Sequence, residues 1–164
     1  MPAETDPIPP VAALEGDDKD NVLAGGDNDD RLLGRGGNDT LTGNLGSDYL
    51  DGGDGDDTLT GDNAAALDSL YTGFNDFAFD RDDGTDTITD FKVACPACLM
   101  LPNTSADHIV LKGGTEADID AAVKGATTNQ DGNTVVTYGE TKIVLTGVGP
   151  IEPSHVEDYW FELG

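Results

Sequence analysis

Residues 25–60 read GGDNDDRLL, GRGGNDTLT, GNLGSDYLD and GGDGDDTLT, four consecutive blocks of nine. Every block opens with Gly (Gly25, Gly34, Gly43, Gly52), carries Asp in its sixth place (Asp30, Asp39, Asp48, Asp57) and Leu in its eighth (Leu32, Leu41, Leu50, Leu59). The block before them, GDDKDNVLA from Gly16, keeps the register with Asn21 and Leu23. The block after, GDNAAALDS from Gly61, loses both places, and the next, LYTGFNDFA from Leu70, recovers them as Asn75 and Phe77. Gly in places one, two and four permits positive φ and close stacking of successive turns. The last three residues of each block suit a short strand with its single apolar side chain turned inward. Two blocks then make one coil, and equivalent positions recur every 18 residues. One apolar residue in nine makes a thin core, so the coils need a further source of cohesion.

Composition agrees with turns rather than helices. The chain has 164 residues, 33 acidic and 8 basic, a formal charge of −25 and a pI near 4.1. Asp outnumbers Glu by 26 to 7, and residues 17–90 hold 20 Asp, no Glu and only Lys19, Arg31, Arg35 and Arg81 as basic groups. Asp with abundant Gly marks turns, whereas Glu would suit helices. Nucleic acid and anionic membranes require cationic patches, so neither is expected as a partner. No run of 18 apolar residues could span a bilayer, and PAETDPIPP after Met1 lacks the basic and apolar segments of a signal peptide.

The in-phase blocks match the GGxGxDxUx pattern of calcium-binding parallel β-helices. Over residues 16–91 the chain resembles the repeats-in-toxin, or hemolysin-type, calcium-binding nonapeptide repeats, and its tail is similar to the C-terminal region of those type I secreted bacterial proteins. The resemblance implies an all-β chain, a right-handed parallel β-roll followed by a C-terminal β-rich cap with one short helix. It implies about two to five calcium ions, each a hard cation taking oxygen ligands between turns. By that resemblance one site uses Asp30 and Asp48 with the carbonyls of Gly26, Asn28, Gly43 and Leu45. Another uses Asp39 and Asp57 with the carbonyls of Arg35, Gly37, Gly52 and Asp54. A site pairing Asn21 with Asp39, and one pairing Asp57 with Asn75, would hold a neutral amide in place of a carboxylate and bind more weakly. The turn after Asp48 would meet Ala66, which cannot ligate. Asp82, Asp86 and Asp90, in the run 73–91 that leads out of the repeats, either bind a further ion or cap the last turn. An EF-hand is excluded because no Glu lies between Glu15 and Glu116. Zinc is disfavoured because the repeats carry no His or Cys.

Outside the roll, expected over 15–91, residues 1–14 carry four Pro and read as a linker or disordered arm, the start of a short natural protein or a cut from a longer one. Residues 92–106 form an insertion in which Cys95 and Cys98 make a local disulfide or remain two thiols. In the cap, 107–164, residues 107–111 and 134–146 read as strands, the latter a pair joined at Gly139–Glu140. Residues 115–126 read as a helix capped by Thr115, with Ile119, Ala122 and Val123 as its apolar face. The finish Glu157, Asp158, Tyr159, Trp160, Phe161 resembles the family's type I secretion signal, and its aromatics could equally complete the core of the cap. His108 and His155 stand apart, and no nucleophile-elbow, HExxH or phosphate-loop motif is present.

The functional expectation is a non-catalytic, secreted, extracellular module that folds on calcium, with calcium ions and the type I secretion machinery as partners. Two alternatives stand beside it. One is the tail of a secreted hydrolase whose catalytic domain lies upstream. The other is an adhesion or carbohydrate-binding module using Tyr138, Tyr159 or Trp160.

Overall fold

The computed structural model describes residues 13–62, 73–92, 107–148 and 161–164. Strand follows strand with the expected spacing: β1 Ala13–Glu15, β2 Val22–Ala24, β3 Arg31–Gly36, β4 Thr40–Asn44, β5 Tyr49–Asp54 and β6 Thr58–Asp62. Then come β7 Asp76–Phe79, β8 Thr85–Ile88, β9 His108–Leu111, the helix α1 Glu116–Gly125, β10 Thr127–Thr128, β11 Thr134–Tyr138, β12 Thr141–Leu145 and β13 Phe161–Leu163.

Successive strands alternate between two sheets, as a coil of two blocks requires. One sheet has the order β1-β3-β5-β7-β9-β13, the other β10-β11-β12-β8-β6-β4-β2. All pairings from β1 to β9 are parallel and in register, with Leu14 beside Leu32, Leu32 beside Leu50, Leu50 beside Phe77 and Phe77 beside Ile109. The other sheet stacks Leu23, Leu41, Leu59, Ile88 and Leu145 in the same way. These inward side chains, fully buried from Leu32 onward, make one core that continues into Val136, Tyr138 and Ile143. The molecule is thus a parallel β-roll, and both sheets run without a break into the segment expected as a cap. Among the described residues antiparallel pairing is confined to β10-β11-β12, with β11 and β12 joined by the tight turn at Gly139.

The N-terminal boundary differs from expectation. Ala13 and Leu14, assigned to the arm, form β1 with Glu15, because Leu14 occupies the eighth place of a block counted from Pro7. This end of the roll leaves Leu14 37% and Val22 81% exposed. The helix is where it was expected. The Asp118 carboxylate accepts the Thr115 N–H at 2.8 Å and pairs with Arg81 at 2.8 Å, while Ala122 is buried and Ile119 and Val123 pack on the core. Residues 1–12, 63–72, 93–106 and 149–160, with Cys95, Cys98, His155, Tyr159 and Trp160, lie outside the described residues.

Candidate metal centre

Stacking places the sixth residue of each block against its counterpart one coil away. The backbone N–H of Asn21 donates to Asp39 Oδ1 at 2.7 Å, Asp30 to Asp48 Oδ1 at 2.8 Å and Asp39 to Asp57 Oδ1 at 2.7 Å. Two columns result, one on each side of the roll where the chain crosses between sheets. The first contains Asp30, Asp48, Asn75 and Asp107, and the second Asn21, Asp39, Asp57 and Asp86.

The later members of both columns correct the simple nine-residue count. Asp48 N–H donates to Asn75 Oδ1 at 3.0 Å across 27 residues, and Asp57 N–H donates to Asp86 Oδ1 at 3.0 Å across 29. Asp57 therefore faces Asp86 and not Asn75, and Asp48 faces Asn75 and not Ala66. The physical reason lies in the block from Gly61, which has Ala66 and Asp68 where an amide acceptor and an apolar plug are needed. Asn75 with Phe77, and Asp86 with Ile88, are the next residues able to do both. The first column goes on to Asp107, whose Oδ1 accepts the Asn75 N–H at 3.0 Å.

Four of these carboxylates spend one oxygen on the amide and keep the other. The Oδ2 atoms of Asp39, Asp48, Asp57 and Asp86 are buried and without a hydrogen-bond donor. Those of Asp39 and Asp48 face backbone carbonyls across Gly34 and Gly43, which open their blocks. A Cβ added at Gly34 would lie 2.1 Å from Asp39 Oδ2 and 2.4 Å from the Gly52 carbonyl oxygen. At Gly43 the same positions are 2.2 Å from Asp48 Oδ2 and 2.6 Å from the Gly61 oxygen, and at Gly25 2.5 Å from the Gly43 oxygen and 2.7 Å from Asp30 Oδ2. Glycine is required because carboxylate and carbonyl oxygens converge on the space a side chain would fill.

Burial without a counter-charge disfavours the ionised form. It lifts the Asp48 and Asp57 carboxyls to about 6 and Asp86 to about 8, and raises Asp39 as well. An orphaned anionic oxygen beside carbonyl oxygens fits a hard, oxygen-preferring cation. Among the described residues no three Asp, Glu, His or Cys side chains gather as a metal cluster. The donors are instead sixth-place side chains supplemented by backbone, which suits calcium and not zinc.

The remaining expected residues fall as follows. The carbonyls of Arg35, Gly37 and Asn28 approach Gly53, Gly55 and Gly46 of the following turns, so they too look along a column. Those of Gly26 and Asp54 accept the N–H groups of Leu45 at 3.1 Å and Gly37 at 2.9 Å. Leu45 is half-buried in its turn. Asp82, Asp86 and Asp90 are not brought together: Asp82 is exposed, Asp86 joins the second column, and Asp90 accepts the Gly61 and Asp62 N–H groups at 2.9 and 2.7 Å.

A further set escaped the sequence reading. Fifth-place side chains accept amides from the following turn: Asp29 from Ser47, Asn38 from Asp56 and Asp56 from Thr85, at 2.8, 3.0 and 2.9 Å. The signal was present, since Asp20, Asp29, Asn38, Ser47 and Asp56 put a short hydrogen-bonding residue in that place of the five blocks that open at Gly16, Gly25, Gly34, Gly43 and Gly52.

Comparison with known proteins agrees with this geometry. Residues 13–41 and 33–65 match the family described as RTX calcium-binding nonapeptide repeat (4 copies). No curated protein matches the chain. Among solved structures, the extracellular lipase LipA from Serratia marcescens is similar at 26% identity and a TM-score of 0.57, over 87% of this chain and 20% of the lipase. This chain therefore spans about a fifth of that protein's length. The AlgE6R3 subunit of the Azotobacter vinelandii mannuronan C5-epimerase is similar at 27% identity and a TM-score of 0.53, over 80% of this chain and 73% of the subunit. With their nine-residue blocks, their stacked turns and this match, residues 13–65 are RTX calcium-binding nonapeptide repeats.

Proposed function

We propose that this chain is a calcium-responsive folding module of a secreted bacterial protein, exported by a type I machinery and closed into its roll by extracellular calcium. The observation that carries the reading is the file of buried, partnerless carboxylate oxygens facing carbonyls across Gly34 and Gly43. Without cations those oxygens repel one another and resist burial, so the open chain is favoured. With cations the same oxygens tie each turn to the next. Asp30 with Asp48 and Asp39 with Asp57 would hold ions, and Asp57 with Asp86 makes a third gap bounded by two carboxylates. Asn21 with Asp39 and Asp48 with Asn75 would hold theirs more weakly. The chain's own groups supply binding and registration, and no catalytic step is assigned to them.

Chelation is expected to abolish the β circular dichroism and calcium to restore it, with bound ions counted by native mass spectrometry. A chelated chain that keeps its full β signal would refute calcium-coupled folding. A second reading, that the module is the C-terminal part of a secreted hydrolase, is favoured by its likeness to one-fifth of a lipase. The genomic reading frame ahead of Met1 decides it. Tyr138 does not serve a glycan site, being 2% exposed, with its hydroxyl donating to the Lys112 carbonyl at 2.7 Å. Among the described residues no helix is long and apolar enough to cross a membrane.

A further inference from the structure

The first column ends differently from its beginning. Asn75 accepts the Asp48 N–H through Oδ1, so its amide nitrogen is turned towards the next gap, where it donates to Asp62 Oδ2 at 3.1 Å. A Cβ added at Gly61 would lie 2.4 Å from that nitrogen, where the equivalent position at Gly43 meets the Asp48 carboxylate oxygen. A donor therefore stands where the earlier turn presents a ligand. Beyond it lies Asp107, with Oδ1 on the Asn75 N–H at 3.0 Å and Oδ2 on the Lys92 N–H at 2.8 Å. This matches the first turns of the column, where Asp30 Oδ2 accepts the Gly26 N–H at 2.6 Å. The backbone of another coupled pair of turns is present, but Lys92 now stands in the place of the second residue of a block. Its Nζ is buried and forms an ion pair with Asp62, itself 8% exposed with Oδ1 lacking a donor.

We propose that Lys92 closes this column, its ammonium taking, between Asn75 and Asp107, the role that a divalent cation takes between earlier turns. The inference rests on the calcium reading above and goes beyond it, since it says where loading stops. The ammonium pairs with Asp62 and lies near enough to Asp107 to favour its charged form, so both carboxylates have a cation from within the chain and the gap needs no divalent ion. The gap between Asp48 and Asn75 is then the last of the first column to take calcium.

Native mass spectrometry of the calcium-loaded chain tests this. Lys92→Met leaves Asp62 and Asp107 without their cation, and the variant is expected to carry one calcium more than the parent. Lys92→Arg keeps the charge and is expected to carry the parental number. A folded Lys92→Met chain with an unchanged count overturns the proposal. Should Lys92→Met not fold, its combination with Asp62→Asn removes both charges and is expected to fold with the parental count, and its failure to fold overturns the proposal too. A parent chain that takes up no calcium would instead defeat the functional reading.

Discussion

At the scale of the residue, the roll depends on places where a side chain cannot go. Gly53 has φ of 87°, and a Cβ there would stand 2.1 Å from the Arg35 carbonyl oxygen in the turn before. Gly132 has nearly the same φ, 85°, with nothing within 4 Å of its missing Cβ. Both alanine variants incur the left-handed backbone cost of roughly 1 kcal/mol. Only Gly53→Ala also drives two coils apart. Denaturant unfolding in saturating calcium should show Gly132→Ala losing about 1 kcal/mol and Gly53→Ala at least about twice that. The non-glycine residues at the same place in other blocks, Arg35 and Asn44, adopt φ of 83° and 80°, so the turn imposes this backbone even where the residue resists it.

At the scale of the element, strands are joined by a core on the inside and by ion pairs on the outside. Lys112 follows β9, and its ammonium reaches Asp51 of β5 at 3.0 and 2.9 Å and Asp80 beyond β7 at 2.8 Å. Half-burial makes this pair of contacts worth more than a surface bridge, so Lys112→Met is expected to cost on the order of 2 kcal/mol. Lys124, exposed and paired with Asp120 along α1, should change stability by about 0.5 kcal/mol or less when replaced by Met. Both values are read from denaturant midpoints in calcium. The strands from β2 to β6, α1 and the β11–β12 hairpin were legible because each carries a local signal: a phased Leu, an N-cap, an alternation around Gly139. The pairing beyond Asp48 and Asp57 was not. It depends on which distant residue combines an amide acceptor with an inward plug two places on, and Asn75–Phe77 and Asp86–Ile88 satisfy that while the block from Gly61 does not. Asp107 escaped for the same reason, since no block of nine announces it.

At the scale of the whole molecule, protons and calcium contend for the same oxygens. The carboxyls of Asp48, Asp57 and Asp86 are raised by burial from an ordinary 3.8 to about 6, 6 and 8 in the cation-free roll. A carboxyl whose folded value exceeds its unfolded value favours the folded state below the unfolded value. That advantage is lost as pH rises through the folded one. In chelator, β structure is therefore expected to increase as pH falls from about 8 towards 4. In calcium the dependence reverses, and the concentration needed for half-folding rises as pH falls through the same interval. Circular dichroism followed along both titrations checks the opposed signs.

The in-register ladder has one more consequence, which belongs to polyelectrolytes. Parallel strands lie about 4.8 Å apart, so carboxylates follow one another at about that interval from Asp39 through Asp57 to Asp86, and from Asp30 to Asp48. Like charges so spaced repel by roughly 0.9 kcal/mol in water, more than the thermal energy of about 0.6. A line of that charge density gathers a sheath of monovalent counterions, as a nucleic-acid backbone does. Calcium entering the columns must expel that sheath. Its apparent affinity should then fall along a straight line as sodium chloride is raised on logarithmic axes, with a slope that counts the ions set free. Calorimetric titration across a salt series measures that slope, and a flat line would mean that the carboxylates act as separate sites rather than as one charged filament.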